Sequence, residues 1–387
     1  MTALLSPREI LDQLVSFPTV SRDTNLPLID WVEGYLNSHG ITCGRQYSAD
    51  GTKAGLYAHV GPEVAGGVVL SGHTDVVPVD GQPWTTDPFT VVEKDGKLYG
   101  RGTCDMKGFD ALAIWALVEA HRRGVSRPLQ IALSYDEEVG CEEVVPLIEE
   151  MGKHLPKAAT VIVGEPSMMK TVTAHKGGRA FKVHVKGFEV HSSLIHTGVN
   201  AIMFGAKLIE WANQNNAAAA AATPSETAAL FVPPWTSTHV GVIEGGTAGN
   251  ITAKDCVFEL DFRNVPDESN DDWEARLRAK VAEVEAEMQA IVPETSIELT
   301  QVFDLNGLAP EENGEAEALV RRLTGDNSEN VVSYGTEAGH FQAARYSTVV
   351  CGPGDIAQAH QPDEFLSVAQ FEAGQVFLRK LIDEVLA

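Results

Sequence analysis

The sequence predicts an α/β protein carrying an inserted α+β unit, and three observations lead there. Between residues 50 and 178, short β-branched runs ("GVVLSGH", "LQIALSYDEE", "TVIVGEP") alternate with helical patterns ("GFDALAIWALVEAHRRG", "EEVVPLIEEM"). Continuous apolar strands separated by helices indicate a sheet covered on both faces, and "STVVCGPG" at 347–354 repeats that type. Further along, Phe181, Val183 and Val185 alternate with Lys182, His184 and Lys186, and Cys256, Phe258, Leu260 and Phe262 alternate with polar neighbours. Such strands have one wet face. Third, 387 residues exceed one typical core.

The first element is signalled by "SPREILDQLVSF", with Ser6 as N-cap, Pro7 in the first turn and Glu9 closing a capping box. This start is expected to belong to the folded domain and not to a leader peptide. Helical patterns at 197–213 and 270–290 interleave with strands near 180, 239, 256 and 295. That is the β-α-β-β-α-β order of a ferredoxin-like unit. The expected organisation is therefore a catalytic domain in two parts, 1–179 and 303–387, around an insertion at 180–302. The Ala run of "NNAAAAAATPSET" extends the first of these helices until Thr223-Pro224 stops it.

Composition excludes some functions. No apolar run approaches the roughly 20 residues of a membrane span. A net charge of -25, with no basic cluster to offset it, repels nucleic-acid phosphates. Five scattered cysteines, an odd count in a chain this large, point to a reducing cytoplasm and not to a disulfide framework.

Three apolar strands end in groups that bind metals or protons: "VVLSGH" at His73, "IALSYDEE" at Glu137 and Glu138, and "TVIVGEP" at Glu165. In open α/β sheets ligands bind beyond the carboxyl ends of the strands, so these side chains are expected at one rim. Asp105 in "GRGTCDMKGFD" precedes a helix, and His360 in "QAHQPDEF" follows the late strand. Two imidazoles and three carboxylates suit Zn²⁺, Mn²⁺ or Co²⁺, and no CxxC marks a structural zinc site. Sharing five ligands between two ions needs a bridging carboxylate, for which Asp105 in its Gly-rich turn is the candidate. Asp75, two residues after His73, is expected to accept the second imidazole N–H and orient the ring. Adjacent glutamates at a strand end point in different directions, so Glu138 is assigned to metal and Glu137 to general-base work. Taken singly, Asp105 is also a plausible helix cap, "DEE" a solvated turn and Glu165 an ordinary strand-end polar residue. Their joint placement after apolar strands favours a site.

The segments "GHTDVVPV", "RGTCDMKGFDA", "DEEVGC", "GEPS", "GFEVHSS", "GGTAGNI" with "DFRNVP", and "AHQPDEF" resemble the M20 dinuclear zinc peptidases and deacylases over nearly the whole chain. The resemblance implies a zinc-exopeptidase-like catalytic domain with a mixed, mostly parallel sheet, and an inserted domain that forms a homodimer. It implies metal ligands His73, bridging Asp105, Glu138, Glu165 and His360, with Glu137 as base and Asp75 behind His73. His191 is expected to reach the partner's site and stabilise an oxyanion. Two divalent ions are implied, Zn²⁺ first and Co²⁺ or Mn²⁺ as alternatives. The activity implied is hydrolysis of an N-acyl amino acid, with N-acetylornithine the first candidate substrate. Arg263 offers a planar fork for the substrate α-carboxylate unless it pairs with Asp261. Asn250 would add an amide hydrogen bond, and Glu337 in "GTEAG" is the candidate for a side-chain ammonium.

Overall fold

The computed structural model describes residues 4–141 and 143–386. The chain divides into two compact units: Met1–Ala174 with Pro310–Val331 and Thr336–Ala387, and His175–Ala309 with Val332–Gly335.

The first unit contains an eight-stranded sheet in the order Cys43–Tyr47, Ala54–Val60, Leu129–Ser134, Val68–His73, Thr160–Pro166, Ser347–Gly352, Val172–His175, Asn330–Val332. Its four central strands, Leu129–Ser134 through Ser347–Gly352, run parallel. The outer strands that adjoin them are antiparallel. Three of the parallel strands, Val68–His73, Leu129–Ser134 and Thr160–Pro166, are buried along their whole length. That explains why their sequences are continuous apolar runs without alternation. One cover is the helix Lys107–Arg123, buried almost all round. It approaches so closely that a Cβ on Gly164 would lie 2.0 Å from the Phe109 ring, which makes glycine obligatory there. The helix Pro7–Val15 starts with the expected capping box: Glu9 N donates to Ser6 Oγ at 3.2 Å and Ser6 N to Glu9 Oε2 at 2.8 Å. The parallel arrangement brings the carboxyl ends of the central strands to one rim. His73 is the last residue of its strand and Glu165 the last but one.

The second unit has a four-stranded antiparallel sheet, ordered Ser237–Gly245, Asp255–Arg263, Gly178–Lys186, Ser296–Leu305. With the helices Ala201–Ala221 and Asn270–Gln289 between strands, this is the ferredoxin-like arrangement. Phe181, Val183, Val185, Phe258, Leu260 and Phe262 form the dry face and pack with Leu208, Trp273 and Leu277. Full burial of each large apolar side chain contributes about 1.5–3 kcal/mol. The first helix begins later than position 197 because Ser192–Thr197 forms a separate short turn and Asn200 supplies the cap, its Oδ1 accepting from Met203 N at 3.1 Å. The Ala run carries that helix to Ala221, just before Thr223-Pro224.

The boundaries of this unit lie outside the expected 180 and 302. His175 and Leu308 exchange backbone hydrogen bonds of 3.0 and 3.1 Å, and Gly177 pairs with Asn264, so the flanking residues belong with the insertion. Among the described residues no helix is long and apolar enough to cross a membrane.

Candidate metal centre

At the sheet rim the Asp105 carboxylate stands between two imidazoles. Its Oδ1 lies 3.1 Å from His73 Nε2 and its Oδ2 3.3 Å from His360 Nε2. His73 Nε2 is also 3.6 Å from Glu165 Oε1, and His360 Nε2 is 2.9 Å from Glu138 Oε2. Ligand atoms of His73, Asp105 and Glu138 lie within 4.8 Å of one another, as do those of His73, Glu137 and Glu165. The structure thus gathers the five sequence-derived ligand candidates and the candidate base from five separate stretches of one unit.

Local structure explains each placement. Asp105 does not cap the helix that follows it: the N-cap is Met106, without a side-chain cap bond. The Asp105 carboxylate is turned to the histidines instead. Glu137 and Glu138 diverge for a reason the sequence reading did not give. They are not on the strand, which ends at Ser134; they sit in a short 3-10 turn, Glu137–Val139, entered through Asp136 at φ 62°. The relation of Asp75 to His73 is likewise modified, because the strand stops at His73. Nδ1 of His73 lies 3.0 Å from the backbone carbonyl of Asp75 and 3.4 Å from its carboxylate Oδ1. The Asp75 carboxylate mainly braces the turn, accepting from Glu137 N at 3.2 Å, Glu138 N at 3.3 Å and Ser21 Oγ at 2.7 Å.

Electrostatics mark the cluster as short of positive charge. Burial, and then the nearby Glu138 and Asp105 carboxylates against the relief from His73, push Glu137 up to about 8. Burial and the surrounding carboxylates raise Glu165 and Glu138 too. His360 is raised to about 10 by its hydrogen bonds to Asp105 and Glu138, whereas burial opposes the rise of His73 and the Asp105 and Asp75 contacts drive it. Glu165 Oε1 is buried without a hydrogen-bond partner. Several carboxylates and two imidazoles crowded in this way, one acceptor unsatisfied, form a donor set suited to divalent cations.

Two contacts here had no clear signal in the sequence. Cys141 Sγ donates to Glu137 Oε1 at 3.1 Å. Glu364, the last acid of "AHQPDEF", is 1% exposed and accepts from Cys104 N at 2.9 Å and Asp105 N at 3.1 Å. Its position four residues after His360 was the only hint.

The remaining candidates fall elsewhere. Glu337, expected to meet a substrate ammonium, is held in the interior of the first unit. It is 1% exposed, and its carboxylate accepts from Ser134 Oγ and, at 3.4 Å, from Ser71 Oγ. "GTEAG" opens a short buried helix, Ala338–Ala343, and not a surface loop, so the acid is used inside the core. His191, Asn250 and Arg263 belong to the second unit and are exposed. There Ser192 N donates to the Asn250 carbonyl at 2.9 Å, which puts His191 and Asn250 in adjacent segments. Asp261 pairs with His239 at 3.1 Å, and Arg263 makes no ion pair among the described residues.

A sheet rim of this composition, on a two-unit α/β frame, defines a metal-dependent hydrolase. The chain belongs to peptidase family M20/M25/M40, which it matches over residues 69–384. It is 32% identical over 380 residues to an acetylornithine deacetylase of Myxococcus xanthus, covering 97% of this chain and 96% of that protein. It is 35% identical to the acetylornithine deacetylase of Erwinia tasmaniensis, covering 93% of each. The fold is similar to that of an M20 family metallo-carboxypeptidase from Sulfolobus solfataricus, with a TM-score of 0.78 at 16% identity and 99% of both chains covered.

Proposed function

We propose that this hydrolase removes the acetyl group from N-acetylornithine, giving ornithine and acetate, a step that serves arginine biosynthesis. The observation that carries a dinuclear amidohydrolase reading is Asp105, with one carboxylate oxygen toward His73 and the other toward His360. The substrate reading is supported by near full-length relatives that bear the deacetylase name.

His73, Asp105 and Glu165 would hold one ion, and His360, Asp105 and Glu138 the other. Mixed imidazole and carboxylate donors favour Zn²⁺, with Co²⁺ and Mn²⁺ as alternatives. When bound, the ions supply Lewis acidity toward the amide carbonyl and lower the pKa of water. Glu137 acts as general base and then acid: the Cys141 thiol occupies Oε1, leaving Oε2 to accept a proton from water and pass it to the leaving amine. Asp75 holds the turn that presents Glu137 and Glu138. Arg263 clamps the substrate α-carboxylate through its planar fork, and Asn250 adds a hydrogen bond. His191 donates to the developing oxyanion across a homodimer formed by the second unit. Exposed apolar residues on that unit, among them Phe188, Leu194, Ile195, Met203 and Val242, support such a contact. Five free cysteines agree with a cytoplasmic setting.

The test is a panel of N-acyl amino acids and dipeptides offered to purified, Zn²⁺-loaded protein. N-acetylornithine should show the highest kcat/KM. A higher value for N-succinyl-diaminopimelate or a dipeptide would reassign the substrate within the family.

A further inference from the structure

Three segments meet at one buried guanidinium in the first unit. Arg101, 1% exposed, donates through Nη1 to Glu364 Oε2 at 2.6 Å and through Nη2 to Gln82 Oε1 at 2.6 Å. It also reaches the carbonyls of Gln361 at 3.3 Å and Pro78 at 3.5 Å. Each partner leads to a different member of the candidate centre. Glu364 Oε1 holds the backbone N–H groups of Cys104 and Asp105, and Gln82 Nε2 donates to the carbonyl of His360 at 3.0 Å.

Burying this ion pair is expensive, since desolvation of two charges is repaid only with good geometry and further hydrogen bonds. A purely structural staple would be served as well by apolar packing. The polar form, however, terminates on the backbones of two residues whose side chains face each other at 3.3 Å. Asp75 offers a parallel, because its carboxylate also accepts two successive backbone N–H groups, those of Glu137 and Glu138. His360 most needs outside support. Its side chain is 52% exposed and its backbone sits at φ 63°, whereas His73 is anchored at the end of a buried strand.

We infer that Gln82, Arg101 and Glu364 form a positioning clamp that fixes Asp105 and His360 against each other and so sets the affinity of the ion held by His360, Asp105 and Glu138. The inference rests on the metal-centre reading above. None of the three clamp residues is a ligand; Glu364 and Gln82 each act through the backbone of one, and Arg101 ties the two together. Outer partners of metal ligands typically contribute 10–100-fold in metal affinity.

The experiment measures both Zn²⁺ dissociation constants by competition with a chromogenic chelator, together with the melting temperature of the metal-free protein. The variants are Gln82→Met and Glu364→Gln. Gln82 lies near the surface, so its variant is expected to fold normally. Gln82→Met should weaken the ion at His360 about 10-fold, and Glu364→Gln, which acts through the shared Asp105, should weaken that ion by up to about 100-fold and the other ion as well. The second ion and the metal-free melting temperature of Gln82→Met should stay unchanged. The clamp is overturned if Gln82→Met binds both ions as the parent does, or if it loosens both equally. A parent protein that binds no Zn²⁺ would instead overturn the metal centre itself, and the clamp with it.

Discussion

In the first unit the candidate side chains are held from behind: His73 by the Asp75 carbonyl, the Glu137–Val139 turn by the Asp75 carboxylate, and Asp105 by the N–H groups bound to Glu364. In the second unit His191, Asn250 and Arg263 are exposed, and Arg263 pairs with no acid among the described residues. The difference separates two kinds of work. Groups that must face one another as like charges need a rigid frame, because any relaxation would move them apart. Groups that grip a substrate or cross an interface can wait on an exposed surface and become ordered on binding, at a cost in affinity.

The strongest test of the rigid half is Glu137→Gln. The amide keeps the shape and cannot take a proton, so turnover should fall about 10²–10⁴-fold with metal content unchanged. Near-normal turnover, with metal analysis showing two ions, would end the general-base assignment. On the exposed half, His191→Ala should cost about 10²–10³-fold in kcat, the loss expected for one oxyanion donor. Mixing His191→Ala with Glu137→Gln should restore activity as heterodimers form. Failure to recover, with subunit exchange demonstrated, would confine His191 to its own subunit or to no catalytic role.

Smaller effects sharpen the contrast. Asp75→Asn should weaken metal binding by about 10–100-fold in chelator competition. If affinity holds, the Asp75 carbonyl alone orients His73. Arg263→Lys should raise KM about tenfold, roughly 1.4 kcal/mol, because a point charge replaces a fork. An unchanged KM for N-acetylornithine would place the carboxylate anchor elsewhere.

The two halves also differed in how much the sequence disclosed. Strand-end logic located His73, Glu165 and the "DEE" turn, since an apolar run ending in an acid or imidazole is visible over a few residues. The ferredoxin-like unit was readable because Phe181, Val183 and Val185 alternate with charged neighbours that stay wet. Arg101, Gln82 and Glu364 were not, because the guanidinium and its acid lie 263 positions apart and nothing local marks either as buried. The burial of Glu337 was hidden for the opposite reason: a Gly-flanked acid looks like a loop until the strand serines, Ser71 and Ser134, are seen to claim it. The divergence of Glu137 and Glu138 was anticipated, but its cause depended on the left-handed Asp136, which periodicity does not reveal.

The backbone pairing of His175 with Leu308 closes the second unit on itself, so almost all of it leaves the ribosome as one continuous stretch. Domains fold as units during synthesis, and this one has all but Val332–Gly335 of its chain before Pro310 is made. The first unit does not. Ser347–Gly352 lies inside its sheet, beside Thr160–Pro166, and His360 is translated later still. A nascent chain arrested before residue 347 therefore carries a finished insertion, a gap in the large sheet and four of the five candidate ligands. The centre can assemble only once Ser347–Gly352 and His360 have followed the other four ligands out.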